Sequence, residues 1–215
     1  MTRYLRRRDA RHERARSKRA CHTVAGMGDT QDRHAARFES GLSDDDFSPV
    51  WADDDRPRIP RVASEREALA AYLEYYRATV AMKCRGLSAP QLRARAVPPS
   101  SLSLHGLVRH LAGVERWWFQ QNFARRDVPL LYVGDADVEP PVGADFAADL
   151  AGWRAECAAS REIVAAHDLD DCARPLDWGQ EVDLRWVMLR MIGEYAQHCG
   201  HIDLLREGID GRTGA

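Results

Sequence analysis

The sequence predicts an all-α protein, a four-helix bundle. Three observations carry this. Four segments repeat apolar residues at helical spacing, no segment sustains a strand-like alternation, and a long proline-bearing link separates the second segment from the third. The link is long enough to run back along a bundle. It therefore lets helices two and three lie parallel, with short connections elsewhere.

The first helix is expected over about 64–85. Ser64 with Glu67 has the spacing of a capping box, and Leu69, Leu73, Tyr76 and Val80 form the apolar face. Gly86 and Pro90 end it. After Pro98 and Pro99, Ser101 or Ser103 can cap a second helix over about 102–124, whose face is Leu104, Leu107, Leu111, Val114 and Trp118. The link over about 125–144 holds Pro129, Pro140, Pro141 and several aspartates. Within it, Leu130 to Val133 is the one stretch that could be a strand, and it is short. The third helix, about 145–167, carries Phe146, Leu150, Trp153, Cys157, Ile163 and Val164. A loop through Pro175 and Trp178 leads to Asp183, which can cap the fourth helix over about 183–208.

Residues 1–58 differ from the rest. They are densely basic up to Arg19, acidic at Asp44–Asp46 and Asp53–Asp55, and without a hydrophobic period. They are expected to form a disordered extension ahead of a bundle spanning 59–213. A basic arm can contact nucleic acid or membrane. The plainer expectation is a solvated tail, or residues ahead of a start at Met27.

Composition narrows the function. A chain of 215 residues with 45% hydrophobic and 30% charged residues is an ordinary globular protein. A net charge of −2 gives no field for nucleic acid or acidic lipid, and no run is apolar enough to span a bilayer. Five cysteines (21, 84, 157, 172 and 199), an odd number without CxxC spacing, read as reduced thiols of a cytoplasmic protein.

The chemistry concentrates in the fourth helix. Glu194, His198 and His201 share one face with Val187, Met191 and Leu205, at about 100° per residue. A carboxylate and two imidazoles inside an apolar stripe are costly to bury without a partner. A divalent metal satisfies them together if His110 arrives from the second helix, where Leu107 and Val114 flank it. His201 competes for the third ligand position, or stands beside the metal as proton acceptor or orienting group. Against the metal, Glu-x-x-x-His is also an ordinary helix pair, and a buried histidine is often bonded only to backbone. His105 lies about 140° from His110 and is expected to face outward or toward the bundle end. Glu115 is expected to be a surface or inter-helix charge, Cys199 points off the ligand face, and Tyr195, Arg190 and Trp186 read as packing and solvation. Trp117, Trp118 and Phe119 read as core rather than as a pocket wall.

Two stretches resemble a known family. These are Leu104-His-Gly-Leu-Val-Arg-His110-Leu-Ala-Gly-Val-Glu-Arg-Trp-Trp, and Trp186-Val-Met-Leu-Arg-Met-Ile-Gly-Glu-Tyr-Ala-Gln-His198-Cys-Gly-His201-Ile-Asp-Leu-Leu-Arg-Glu. They are similar to the DinB/YfiT-like superfamily of metalloenzymes, and to its actinobacterial subfamily that includes the mini-circle protein type. The resemblance covers roughly 60–213, including the ending Ile209-Asp-Gly-Arg-Thr-Gly. It implies up-down-down-up topology and a metal held by one histidine of helix two and an HxxxH pair of a later helix. Here those positions are His110, Glu194 and His198, so a glutamate replaces the first histidine of the pair. Zinc is the metal expected, with nickel, iron or manganese also compatible with a carboxylate ligand. The resemblance further implies a small-molecule substrate, and mycothiol as co-substrate of an S-transferase acting on small electrophiles. A homodimer is allowed, and neither nucleic acid nor membrane is a partner. The alternatives are a non-catalytic metal-binding or stress-response bundle, and a bundle whose polar cluster satisfies itself.

Overall fold

In the computed structural model, the chain falls into two units, residues 1–52 and 53–215. The structure describes Trp51, residues 54–175 and residues 180–213. The expected N-terminal extension up to residue 50, Met27 within it, and the loop residue Trp178 lie outside the described residues.

Helix α1 runs Glu65–Lys83, a single turn α2 covers Ala89–Leu92, and α3 covers Leu104–Glu115. A wider π-helical stretch, Arg116–Phe123, continues α3 directly. Helix α4 is Phe146–Ala166 and α5 is Leu184–Asp210. Two short strands, β1 (Cys172–Ala173) and β2 (Val182–Asp183), pair antiparallel and deliver the chain into α5. Leu130 to Val133 forms no strand. Among the described residues no helix is long and apolar enough to cross a membrane.

The helix starts follow local chemistry. Ser64 and Glu67 close the reciprocal capping box, with Glu67 Oε2 accepting from the Ser64 amide at 2.9 Å. Ser103, rather than Ser101, caps α3 by accepting from the Gly106 amide at 3.1 Å. Asp145 caps α4, and Asp183 caps α5 by accepting from the Trp186 amide at 2.7 Å. Helix α5 ends at Gly211, whose φ of 75° is the left-handed turn that a side chain resists.

Ion pairs and hydrogen bonds between side chains give the helix directions. Glu65 meets Arg185 and Lys83 meets Asp203, so α1 and α5 run parallel. His105 meets Asp149 and Arg116 meets Glu156, so α3 and α4 run parallel. Arg66 reaches the carbonyls of Val164 and His167, which sets α1 against α4. Trp118 stacks edge-on with Trp186 while His110 faces Glu194, which sets α3 against α5. The bundle is therefore up-down-down-up, as the long link between α3 and α4 allows.

Helix α3 is the inner member. Its buried residues include Leu104, Leu107, Val108 and Leu111, but also His105, Arg109 and Glu115. His105 is thus not outward-facing: it is 1% exposed and its Nε2 lies 2.7 Å from Asp149 Oδ2. Facial reasoning assumes a helix with a solvent side, and α3 has almost none. Glu115 is fully enclosed. It takes a two-pronged bond from Arg77 at 2.8 and 2.7 Å, and further bonds from Tyr195 Oη at 2.7 Å and Ser160 Oγ at 2.6 Å. It is an inter-helix charge, compensated from three other helices. Trp118 and Phe119 are core residues.

Candidate functional site

The polar face of α5 meets α3 at His110, Glu194 and His198. Glu194 and His198 are one turn apart, and His198 Nε2 lies 3.3 Å from Glu194 Oε1. From α3, His110 Nε2 lies 3.4 Å from the same oxygen. The three residues offer one ligand atom each, all within 4.8 Å of one another. Donors bound tetrahedrally at 2.0–2.2 Å would stand roughly 3.3–3.6 Å apart. The two contacts to Glu194 Oε1 have this spacing, the histidine nitrogens lie within 4.8 Å of each other, and two imidazoles with one carboxylate are a donor set suited to a divalent cation of the zinc type. The side chains of His110, Glu194 and His198 keep exposures of 16, 12 and 11%, so the cluster is enclosed without being sealed.

His201 stands apart from that trio. Its Nδ1 is 3.2 Å from His198 Nδ1, the ring nitrogen turned away from Glu194. Its position is therefore behind a candidate ligand. Burial and the neighbouring His198 both lower its pKa, so it is neutral at pH 7.

The charges support one another. Burial alone would lower the pKa of His110, but its hydrogen bonds to Asp137 and Glu194 outweigh burial and raise it to about 9. Burial alone would raise the pKa of Glu194. His110, His198 and the guanidinium of Arg190 instead hold it well below the usual carboxylate range. Arg190 Nη1 sits 2.7 Å from Glu194 Oε2, the oxygen that does not face the histidines. Glu194 is therefore ionised and oriented at both oxygens, with Oε1 directed at the two imidazoles.

A family model of mycothiol-S-transferases matches residues 68–211, which include the whole cluster. The chain belongs to the mycothiol-S-transferase family. That places it in the DinB/YfiT-like superfamily, in agreement with the bundle topology. No curated protein matches the chain.

A mycothiol-S-transferase family member handles a thiol, and among the described residues the buried cysteines are poorly suited to supply it. Burial pushes Cys84 and Cys199 up to about 12 and raises Cys157 further, with Glu115 adding to the rise. Such groups stay protonated and weakly nucleophilic at neutral pH. Cys172 is exposed but lies on β1, bonded to the Asp170 carbonyl, outside the cluster.

Two polar partners of the cluster had little or no signal in the sequence. Asp137 Oδ2 lies 2.8 Å from His110 Nδ1, although it sits 27 residues away in the link. One aspartate among several in an aperiodic segment carries no positional mark. Arg190 reads as solvation by sequence, yet its i,i+4 spacing to Glu194 was the available cue. Tyr195 and Trp153 bond to each other inside the core at 2.9 Å and serve packing.

Proposed function

We propose that this protein is a metal-dependent S-transferase that joins the thiol of mycothiol, or a closely similar low-molecular-weight thiol, to a small electrophile. The observation that carries this is the meeting of His110 Nε2, Glu194 Oε1 and His198 Nε2 in a member of a mycothiol-S-transferase family. His110, Glu194 and His198 hold the cation, with zinc favoured by the mixed nitrogen and oxygen donors. A divalent cation here supplies positive charge that lowers the pKa of a thiol brought beside it.

The residues of the chain prepare that centre. Glu194 carries its negative charge at neutral pH and lends Oε1 to the centre, while Arg190 holds its other oxygen. Ligation through His198 Nε2 leaves the His198 proton on Nδ1, which donates to His201 Nδ1. His201 then keeps its own proton on Nε2. It acts first as the group that orients His198, and it takes a proton only at Nδ1, by receiving or breaking that bond. A base role at Nε2 and ligation by His198 Nε2 exclude each other, because each ring carries a single proton when neutral.

The reaction forms a carbon–sulfur bond between the thiol and the electrophilic carbon while the bond from that carbon to its leaving group breaks. The leaving group departs with that electron pair, and the thiol proton passes to solvent or to a base. The described buried cysteines take no part, and the sulfur that reacts is that of the co-substrate. The test is a turnover assay with mycothiol and a fluorogenic alkylating electrophile, using protein freed of metal by chelation and then resupplied with zinc. Activity that is lost with the metal and restored with zinc supports the proposal. Zinc bound stoichiometrically with no turnover of any electrophile in a broad panel would favour the non-catalytic bundle.

A further inference from the structure

We infer that the turn over residues 134–139 is the outer support of the His110 ligand, with Asp137 fixing the ring and Gly106 keeping the path by which Asp137 reaches it. This rests on the proposal that His110 is a metal ligand.

The turn lies against α3 rather than projecting from it. The Glu139 amide closes it by donating to the Asp135 carbonyl at 2.9 Å. Asp137 Oδ1 accepts from the Val138 amide at 2.9 Å, which turns Oδ2 toward His110 Nδ1 at 2.8 Å. The Asp137 carboxylate is thus held at both oxygens. A carboxylate at Nδ1 draws the ring proton there and leaves the Nε2 lone pair free, the nitrogen that faces Glu194.

Gly106 sets the spacing. It precedes His110 by one helical turn, so the two positions share a face of α3. A Cβ at Gly106 would stand 2.2 Å from the Val138 carbonyl oxygen and 3.0 Å from its carbon. Both are backbone atoms and cannot swing aside as a side chain would. A side chain here must lift the turn, and Asp137 sits immediately before Val138.

Arg109 pins the other side of Asp137. Its Nε and Nη2 donate to the Ala136 carbonyl at 3.1 and 2.8 Å, and its Nη1 donates to Asp149 Oδ1 at 2.7 Å. Its guanidinium also lies over the Tyr132 ring, 4.1 Å from the centroid. The carbonyls on both sides of Asp137 therefore rest on α3, one on Arg109 and one on Gly106. Asp137 is a positioning residue: it acts on the site through His110.

Zinc affinity, measured by competition with a chromophoric chelator, tests this. Asp137→Ala should weaken zinc binding about 10–100-fold, the usual scale for an outer partner of a histidine ligand. Asp137→Asn keeps an acceptor for the Nδ1 proton and should recover part of that loss. Gly106→Ala keeps Asp137 in the sequence, is compatible with helical backbone, and should approach the loss of Asp137→Ala. The double variant should be little worse than either single one, because both act through one bond. If Asp137→Ala fails to fold, Asp137→Asn and Gly106→Ala decide between the same outcomes. Wild-type affinity in Asp137→Ala, or in both of those variants, while His110→Ala has lost zinc, overturns this inference and leaves the metal site intact. Losses that add in the double variant overturn the role given to Gly106. Zinc retained at full affinity in His110→Ala overturns the site itself.

Discussion

Glu194 Oε1 lies 3.3 Å from His198 Nε2, one turn away on α5, and the same oxygen faces His110 Nε2 at 3.4 Å from α3. One carboxylate oxygen thus collects the two imidazoles of antiparallel helices. Removing the carboxylate should damage the site more than the bundle, since the two imidazoles left behind can become neutral. Glu194→Ala should lower zinc affinity by more than the roughly 10–100-fold expected for an outer partner. Its circular dichroism should stay helical, because neutral imidazoles tolerate burial better than an unpaired carboxylate does. Unchanged zinc affinity would remove Glu194 from the ligand set.

His201→Ala separates an orienting role from a ligand role. With Nδ1 3.2 Å from His198 Nδ1, it should leave one metal per chain but weaken binding, again about 10–100-fold. Metal analysis and turnover on the same sample check this. Complete loss of metal would make His201 a ligand.

The His110 pKa of about 9 gives a pH dependence with a definite sign. A cation and a proton compete for the ring, so zinc binding releases that proton below about pH 9. Apparent affinity should rise with pH, close to tenfold per unit for a single proton, and flatten above about 9. Folding of the metal-free protein runs the other way. The raised folded-state pKa contributes stability that is complete below the unfolded value near 6.5. That contribution is lost as pH rises through about 9. A chelator competition series from pH 6 to pH 9.5 and melts of the metal-free protein test both. A flat affinity profile would show that His110 carries no competing proton.

Glu115 supports the fold rather than the site. Removing it leaves the buried Arg77 guanidinium, whose side chain is 4% exposed, with Glu74 alone as its carboxylate partner, takes the carboxylate acceptor from Tyr195, and leaves Ser160 only the Glu156 carbonyl. Glu115→Ala should cost about 3–5 kcal/mol in urea unfolding. A loss under about 1 kcal/mol would mean that water or rearrangement replaces the carboxylate.

Much of this was legible in the sequence because helical periodicity and caps are local. Ser64, Glu67 and Asp183 mark helix starts within a residue, and the pair Glu194 and His198 lies on one turn. The pairing of α3 with α5 at His110 was legible because an apolar stripe interrupted by charge needs a partner from elsewhere. Where inference failed, the cause was the surroundings of α3. His105 is rotated from the site face as its spacing says, but that direction meets Asp149 and Phe146 rather than solvent. The π-helical widening after Glu115 leaves no mark in an apolar count. The close approach of the Val138 carbonyl, next to Asp137, to Gly106 joins segments far apart in the chain and leaves no local mark.

The central claim is that His110 and His198 hold one cation between them. The direct measurement is metal content by mass spectrometry, after purification without a chelating tag and after zinc loading and desalting. Wild type and a His167→Ala control should carry one zinc per chain, while His110→Ala and His198→Ala, folded by circular dichroism, should carry none. Full zinc occupancy in both of those variants would contradict the account.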